Sequence, residues 1–186
     1  MQPLMRNRVA NTAGECYGLC LGDIAAAATG ESVYAPYSIG VASLGIPFYQ
    51  VIGNHDHFHV ETNLTDDDAA AAFEAAFGPR NYSVNLGKFH MVILDDMVVD
   101  HVKMTYGTGL TDTDLEWLRG DLSHVSEDTH LIVCAHSNMF MTDGYGEASN
   151  STINGPEYAA ILKKYKKVYH FAGHSHSSFN YVYPED

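Results

Sequence analysis

The chain has 186 residues, 46% hydrophobic and 18% charged, a balance that excludes disordered, collagen-like and coiled-coil classes. Ten Lys and Arg against 23 Asp and Glu leave a net charge of −13, which disfavours nucleic acid and anionic membranes as partners. A bound divalent cation would reverse that sign locally, so a small anionic substrate stays compatible with it. The length suits one domain, 1–186, with a sizeable core. No stretch is long and apolar enough to span a bilayer. The start, Met1-Gln2-Pro3-Leu4-Met5-Arg6, lacks a signal peptide's apolar core and cleavage site. The chain therefore reads as soluble, with no compartment indicated.

Residues 2–14 read as a helix with Leu4, Arg8 and Val9 on one face, followed by a strand at Tyr17–Leu21. Helix is expected at Ala25–Ala28 and Tyr34–Leu44, and Gly45-Ile46-Pro47 leads into a strand at Phe48–Ile52. Thr65 is placed to cap a helix over Asp66–Phe77. Its three leading aspartates favour the positive end of the helix dipole, and Gly78-Pro79 stops it. Consecutive aspartates lack the alternating spacing of a calcium loop.

Tyr82–Leu86 and Phe89–Leu94, joined by Gly87-Lys88, predict a hairpin. Thr111 caps a helix with Leu115, Leu118, Leu122 and Val125 as its apolar stripe. A strand at His130–Ala135 precedes a long polar loop, Ser137–Gly155, and Pro156 opens a helix running to Tyr165. Strands at Val168–Ala172 and Phe179–Tyr183 close the chain. Such alternation predicts α/β layers around a mixed sheet or two packed sheets. Cys16, Cys20 and Cys134 read as small buried hydrophobes in or beside strands, with no disulfide framework.

Four of these strands end in metal-competent residues. They are Gly22-Asp23, Gly53-Asn54-His55-Asp56, His136, and Gly173-His174-Ser175-His176. Neutral imidazole is the commonest biological metal ligand, and a glycine at a strand end lets the backbone turn sharply. Any one of these ends alone would be an ordinary polar turn. Together they point to a metal site on one rim of an α/β sheet. Mixed N/O donors of this kind suit manganese, iron or zinc better than magnesium or calcium.

In order and spacing, this set resembles the calcineurin-like metallophosphoesterase superfamily over nearly the whole chain. The resemblance implies a two-sheet α/β sandwich and a pair of divalent transition metals on one rim. Asp23 would bridge the metals. Asn54, His136 and His174 would complete one site, and His176 would belong to the other. The implied reaction is hydrolysis of a phosphomonoester or phosphodiester by metal-activated water. His55 would stand beside the leaving group, with Asp56 orienting it or holding a proton for it.

Two departures from the family pattern are visible. The family's opening D-x-H or D-x-Q motif, at the end of a strand before the GD motif, is missing. Asp128-Thr129-His130 matches the letters but starts a strand instead of ending one, while Met1-Gln2 could be the tail of a lost D-x-Q. The expectation is thus a domain truncated at its N-terminus and lacking its first strand. One metal site would be complete, and an open sheet edge would invite self-association. The alternative reading is a catalytically silent domain binding at most one metal. In the second departure, Asp23 is followed by Ile24 and a run of alanines, so its outer support looks thin.

Other residues complete the reading. His57 and His59 could reach substrate, but surface-loop polarity is their default. Tyr145, within Gly144-Tyr145-Gly146-Glu147, could belong to a substrate lid. Asp95 or Asp96 could orient a ligand histidine. His90, His101, His124 and His170 read as structural.

Overall fold

The computed structural model describes residues 2–27, 31–57, 65–100, 105–139 and 152–176. Helix α1 spans Gln2–Ala10, β1 Gly18–Leu21, α2 Ala35–Ala42 and β2 Phe48–Val51, with a 3₁₀ turn at Glu31–Tyr34 before α2. Then come α3 (Asp66–Phe77), β3 (Tyr82–Leu86), β4 (Phe89–Ile93), β5 (Met97–Asp100) and β6 (Thr105–Thr108). The described chain continues through α4 (Asp112–Leu122), β7 (His130–Cys134), α5 (Gly155–Leu162) and β8 (Lys167–Phe171).

Strands β3-β4-β7-β8 form one sheet in that order, with β3 antiparallel to β4 and β4, β7 and β8 mutually parallel. Strands β1 and β2 pair in parallel, and β5 and β6 form an antiparallel pair. Alternation along β4 sorts its side chains between two layers. Val92 joins Leu131, Val133 and the stripes of α4 and α5 in one cluster. Met91 and Ile93 face the other way, toward Val51, Leu19, Leu21 and Tyr49 of the β1–β2 pair. A third cluster, Tyr34, Ile52, Ala70 and Phe73, seats α3 beside the end of β2. Two sheets stacked face to face, with helices outside, make the expected α/β sandwich.

Both capped helices start where the sequence places them. Thr65 and Thr111 each accept from the third helical amide, and Asp68 and Asp114 reach back to the cap backbone. Elsewhere local chemistry redraws the boundaries. Helix α1 ends at Ala10 instead of residue 14: the Asn11 amide side chain donates to the Asn7 carbonyl, and the Thr12 hydroxyl to that of Arg8. No helix forms over residues 25–27, because the Ala25 N–H and Ala26 carbonyl are engaged by the neighbouring loop. The β5–β6 pair lies where no element was expected. The strand expected at Phe179–Tyr183 falls outside the described residues.

Among the described residues β1 is bonded along one edge only, and Tyr17, Tyr169 and Phe171 stay exposed nearby. Among those residues, too, no helix is long and apolar enough to cross a membrane.

Core energetics give a direct check. Leu118 is fully buried in the α4–α5 cluster, whereas Ile39 on α2 is 73% exposed. Leu118→Ala should lower unfolding free energy by about 2–5 kcal/mol in urea titration. Ile39→Ala should change it by no more than about 0.5 kcal/mol. Equal effects would contradict this packing.

Candidate metal centre

Because β1 runs parallel to β2, and β4, β7 and β8 run parallel to one another, their C-terminal loops gather along one rim. Asp23 follows β1, Asn54 and His55 follow β2, His136 follows β7, and His174 and His176 follow β8. Asp23, His174 and His176 all adopt left-handed backbone, with φ of 53°, 60° and 52°. Non-glycine residues seldom adopt that conformation, and such strain concentrates at functional sites. The preceding glycines have a steric reason. A Cβ on Gly22 would run into the His136 imidazole, and one on Gly53 into Asp23.

His136 is the hub. Its Nδ1 lies 2.6 Å from the Leu21 carbonyl oxygen, which can only accept, so Nδ1 carries the hydrogen. The Nε2 lone pair is thereby aimed at the rim. Around Nε2 stand Asn54 Oδ1 at 3.1 Å, His174 Nδ1 at 3.2 Å and Asp23 Oδ1 at 3.4 Å. Donors bound at about 2.1 Å to one ion, at tetrahedral or right angles, sit roughly 3.0–3.4 Å apart. The spacing fits a single transition ion. Ligand atoms of Asp23, His136 and His174 all lie within 4.8 Å of one another.

Electrostatics agree with this grouping. Burial works to raise the pKa of Asp23, but His136 and the His55 amide outweigh it and leave that pKa lowered. Burial likewise opposes charge on His136, yet the Asp23 carboxylate and Leu21 carbonyl leave its pKa raised. His174 is pushed down by burial and by the neighbouring His136.

Residues 18–178 match the calcineurin-like phosphoesterase family. The chain belongs to that family. Among solved structures, it is similar to a purple acid phosphatase, PPD1, from yellow lupin (Lupinus luteus) seeds. That similarity covers 94% of this chain and 32% of the other, at 16% identity and a TM-score of 0.63. The chain thus spans about a third of that protein's length, and the likeness is one of fold. No curated protein matches the chain.

In this calcineurin-like domain two buried carboxylates hold the loops that carry the candidate ligands. Asp56 is fully buried and accepts from the amides of Ala25 (2.9 Å), Gly53 (3.0 Å) and Ile24 (3.1 Å). It therefore ties the β1 loop to the β2 loop. This corrects the expected role: Asp56 makes no bond to the His55 ring, whose Nδ1 faces the Ala26 carbonyl at 2.8 Å. It also corrects the thin support expected for Asp23, whose Oδ1 accepts from the His55 amide at 3.0 Å.

Asp96 is the second. Its carboxylate is fully buried and accepts from the amides of His136 (2.9 Å) and Ser137 (2.8 Å) and from the Ser137 hydroxyl. Burial pushes its pKa up to about 6. Asp96 orients His136 through the backbone, leaving the ring to Leu21.

His57 does not lie on the surface. It is 1% exposed, with Nε2 at 3.2 Å from Asp95, and Arg80 braces Asp95 at 3.3 Å. An enclosed ion pair is a poor substrate contact, so the geometry corrects both readings of His57. His90 is structural as expected, between Asn85 and Asp121 at 2.8 Å each. His176 is exposed and outside the three-residue group. Tyr145, His59 and His101 lie outside the described residues.

One neighbour was not singled out in the sequence. The Tyr106 ring on β6 meets the His174 ring edge to face, with centroids 5.9 Å apart. A tyrosine in a four-residue strand that itself escaped notice carries no motif.

The His57 pair gives a pH prediction. Burial lowers its pKa, but the Asp95 carboxylate outweighs this and leaves it above 6.5. A raised histidine pKa stabilises the fold fully below the unfolded value and is lost as pH rises through the folded value. The stability gap between wild type and His57→Gln should therefore shrink as pH rises from the ordinary histidine value of 6.5 into the alkaline range in thermal unfolding. A gap that is constant or widens over that range would refute the pairing.

Proposed function

We propose that the chain hydrolyses small phosphate mono- or diesters, using at least one divalent transition ion held by Asp23, Asn54, His136 and His174. The observation that carries this reading is the convergence of three donors, at 3.1–3.4 Å, on an Nε2 whose tautomer is set by Leu21. One carboxylate, one amide oxygen and two imidazoles suit manganese, iron or zinc. When bound, such an ion supplies Lewis acidity, acidifying water and neutralising charge on the phosphoryl group.

The chain's own residues do the rest. Asp23 and Asn54 present oxygens from two loops cross-braced by Asp56, so their separation is held without side-chain searching. His55 is exposed on the same rim and donates Nδ1–H to Ala26, which turns Nε2 outward. In its imidazolium form His55 carries a proton at Nε2 and delivers it to the departing alkoxide. His176, on the same loop as His174, is the candidate for a second site sharing Asp23. A second reading, one ion bound without turnover, draws support from the single donor group found among the described residues.

His55→Asn, assayed in metal-loaded protein, tests the mechanism. It should slow an alkyl phosphate by about 10²–10⁴-fold and an activated aryl phosphate far less, because a phenolate leaves without a proton. Metal content by elemental analysis should be unchanged. Equal losses on both esters would remove the acid role, and lost metal would make His55 a ligand. No hydrolysis of either ester by metal-loaded wild type would favour the silent reading and overturn the proposal.

A further inference from the structure

The base of the β5–β6 hairpin is tied to the loop that carries His136. The Gly109 amide donates to the Asp96 carbonyl at 2.9 Å, and the Asp96 carboxylate holds the His136 and Ser137 amides. One residue thus ties the hairpin's base to the loop that carries the hub histidine. A second anchor lies on the other side of the hairpin, where Gly109 bridges Ile153. A Cβ on Gly107 would meet the Ile153 side chain, so that face of β6 is committed to Ile153.

Alternation then sends Tyr106 to the opposite face. There its ring stands edge to face against His174, with centroids 5.9 Å apart and planes at 83°. The ring is nevertheless 36% exposed. The Tyr106 ring therefore borders the cluster at His174 and keeps part of its surface open to solvent.

We infer that Tyr106 is a specificity-determining residue, forming an aromatic wall of the substrate site that packs against a flat ring in the organic part of the phosphoester. This inference rests on the phosphoesterase reading and deepens it: the preferred substrates are aryl or nucleoside phosphates over small alkyl ones. A purely structural role would need the ring only as packing for His174. Its remaining exposure is what a planar ligand covers, since aromatic stacking tolerates any planar group and contributes markedly to binding.

Non-hydrolysable probes test this without turnover. Binding of phenylphosphonate and methylphosphonate to metal-loaded protein is measured by calorimetry, with metal content and thermal midpoint recorded for each variant. Wild type should bind the phenyl probe about tenfold tighter. Tyr106→Phe should keep that preference. Tyr106→Ala and Tyr106→Leu should bring it close to one while methylphosphonate affinity and metal content stay unchanged.

A preference that survives in Tyr106→Ala and Tyr106→Leu would overturn the inference. So would equal binding of the two probes by wild type, which leaves the phosphoesterase reading standing. Metal loss in both variants would make Tyr106 packing for His174 and overturn it too. If metal-loaded wild type binds neither probe, the phosphoesterase reading falls and the inference falls with it.

Discussion

The rest of the site depends on the hydrogen bond from His136 Nδ1 to the Leu21 carbonyl, at 2.6 Å. It joins the end of β7, in the four-stranded sheet, to the end of β1, in the two-stranded one. It also decides chemistry. A carbonyl can only accept, so Nδ1 keeps its proton, and in the neutral ring Nε2 is left as a lone pair facing Asp23, Asn54 and His174. Were the proton on Nε2, the ring would offer those donors a hydrogen instead of an electron pair. Sandwich packing and ligand geometry thus meet in one contact.

Two buried carboxylates maintain that contact from behind. Asp56 gathers three amides from the β1 and β2 loops, and Asp96 gathers two amides and a hydroxyl at the β7 loop. Burying a carboxylate is costly unless it is well hydrogen-bonded. Spending that cost on backbone amides leaves imidazoles and side-chain oxygens free to face the rim. It also explains how so acidic a chain, with a net charge of −13, builds an acid-rich site. The buried acids hold loops in place, and Asp23 alone among the three faces the cluster.

Much of this was legible from letters. The GD, GNHD and GHxH ends name the loops, and the glycines of the first two are where a Cβ would collide with His136 or Asp23. The alternation of strands with helices and the stripe of α4 foretold the layers. What escaped notice depends on contacts distant in sequence. Asp56 adjoins His55 in the chain but turns to amides about thirty residues away. His57 looks like loop polarity until Asp95 and Arg80 are brought to it by β4 and the end of α3. The alanines after Ile24 favour helix, yet the Ala25 N–H and Ala26 carbonyl are taken by the β2 loop. Strands β5 and β6 have four residues each, too few for a periodic signal, so Tyr106 emerged only from the fold.

The site depends most directly on the protonation of the His136 ring, and two-bond nitrogen–proton correlation spectra of the histidines read it. At a pH above its raised pKa, His136 of the metal-free protein should be the Nδ1–H tautomer, with an unprotonated Nε2 whose resonance shifts when one equivalent of zinc is added. An Nε2–H tautomer for His136, or an Nε2 resonance that zinc leaves in place, would contradict this assignment.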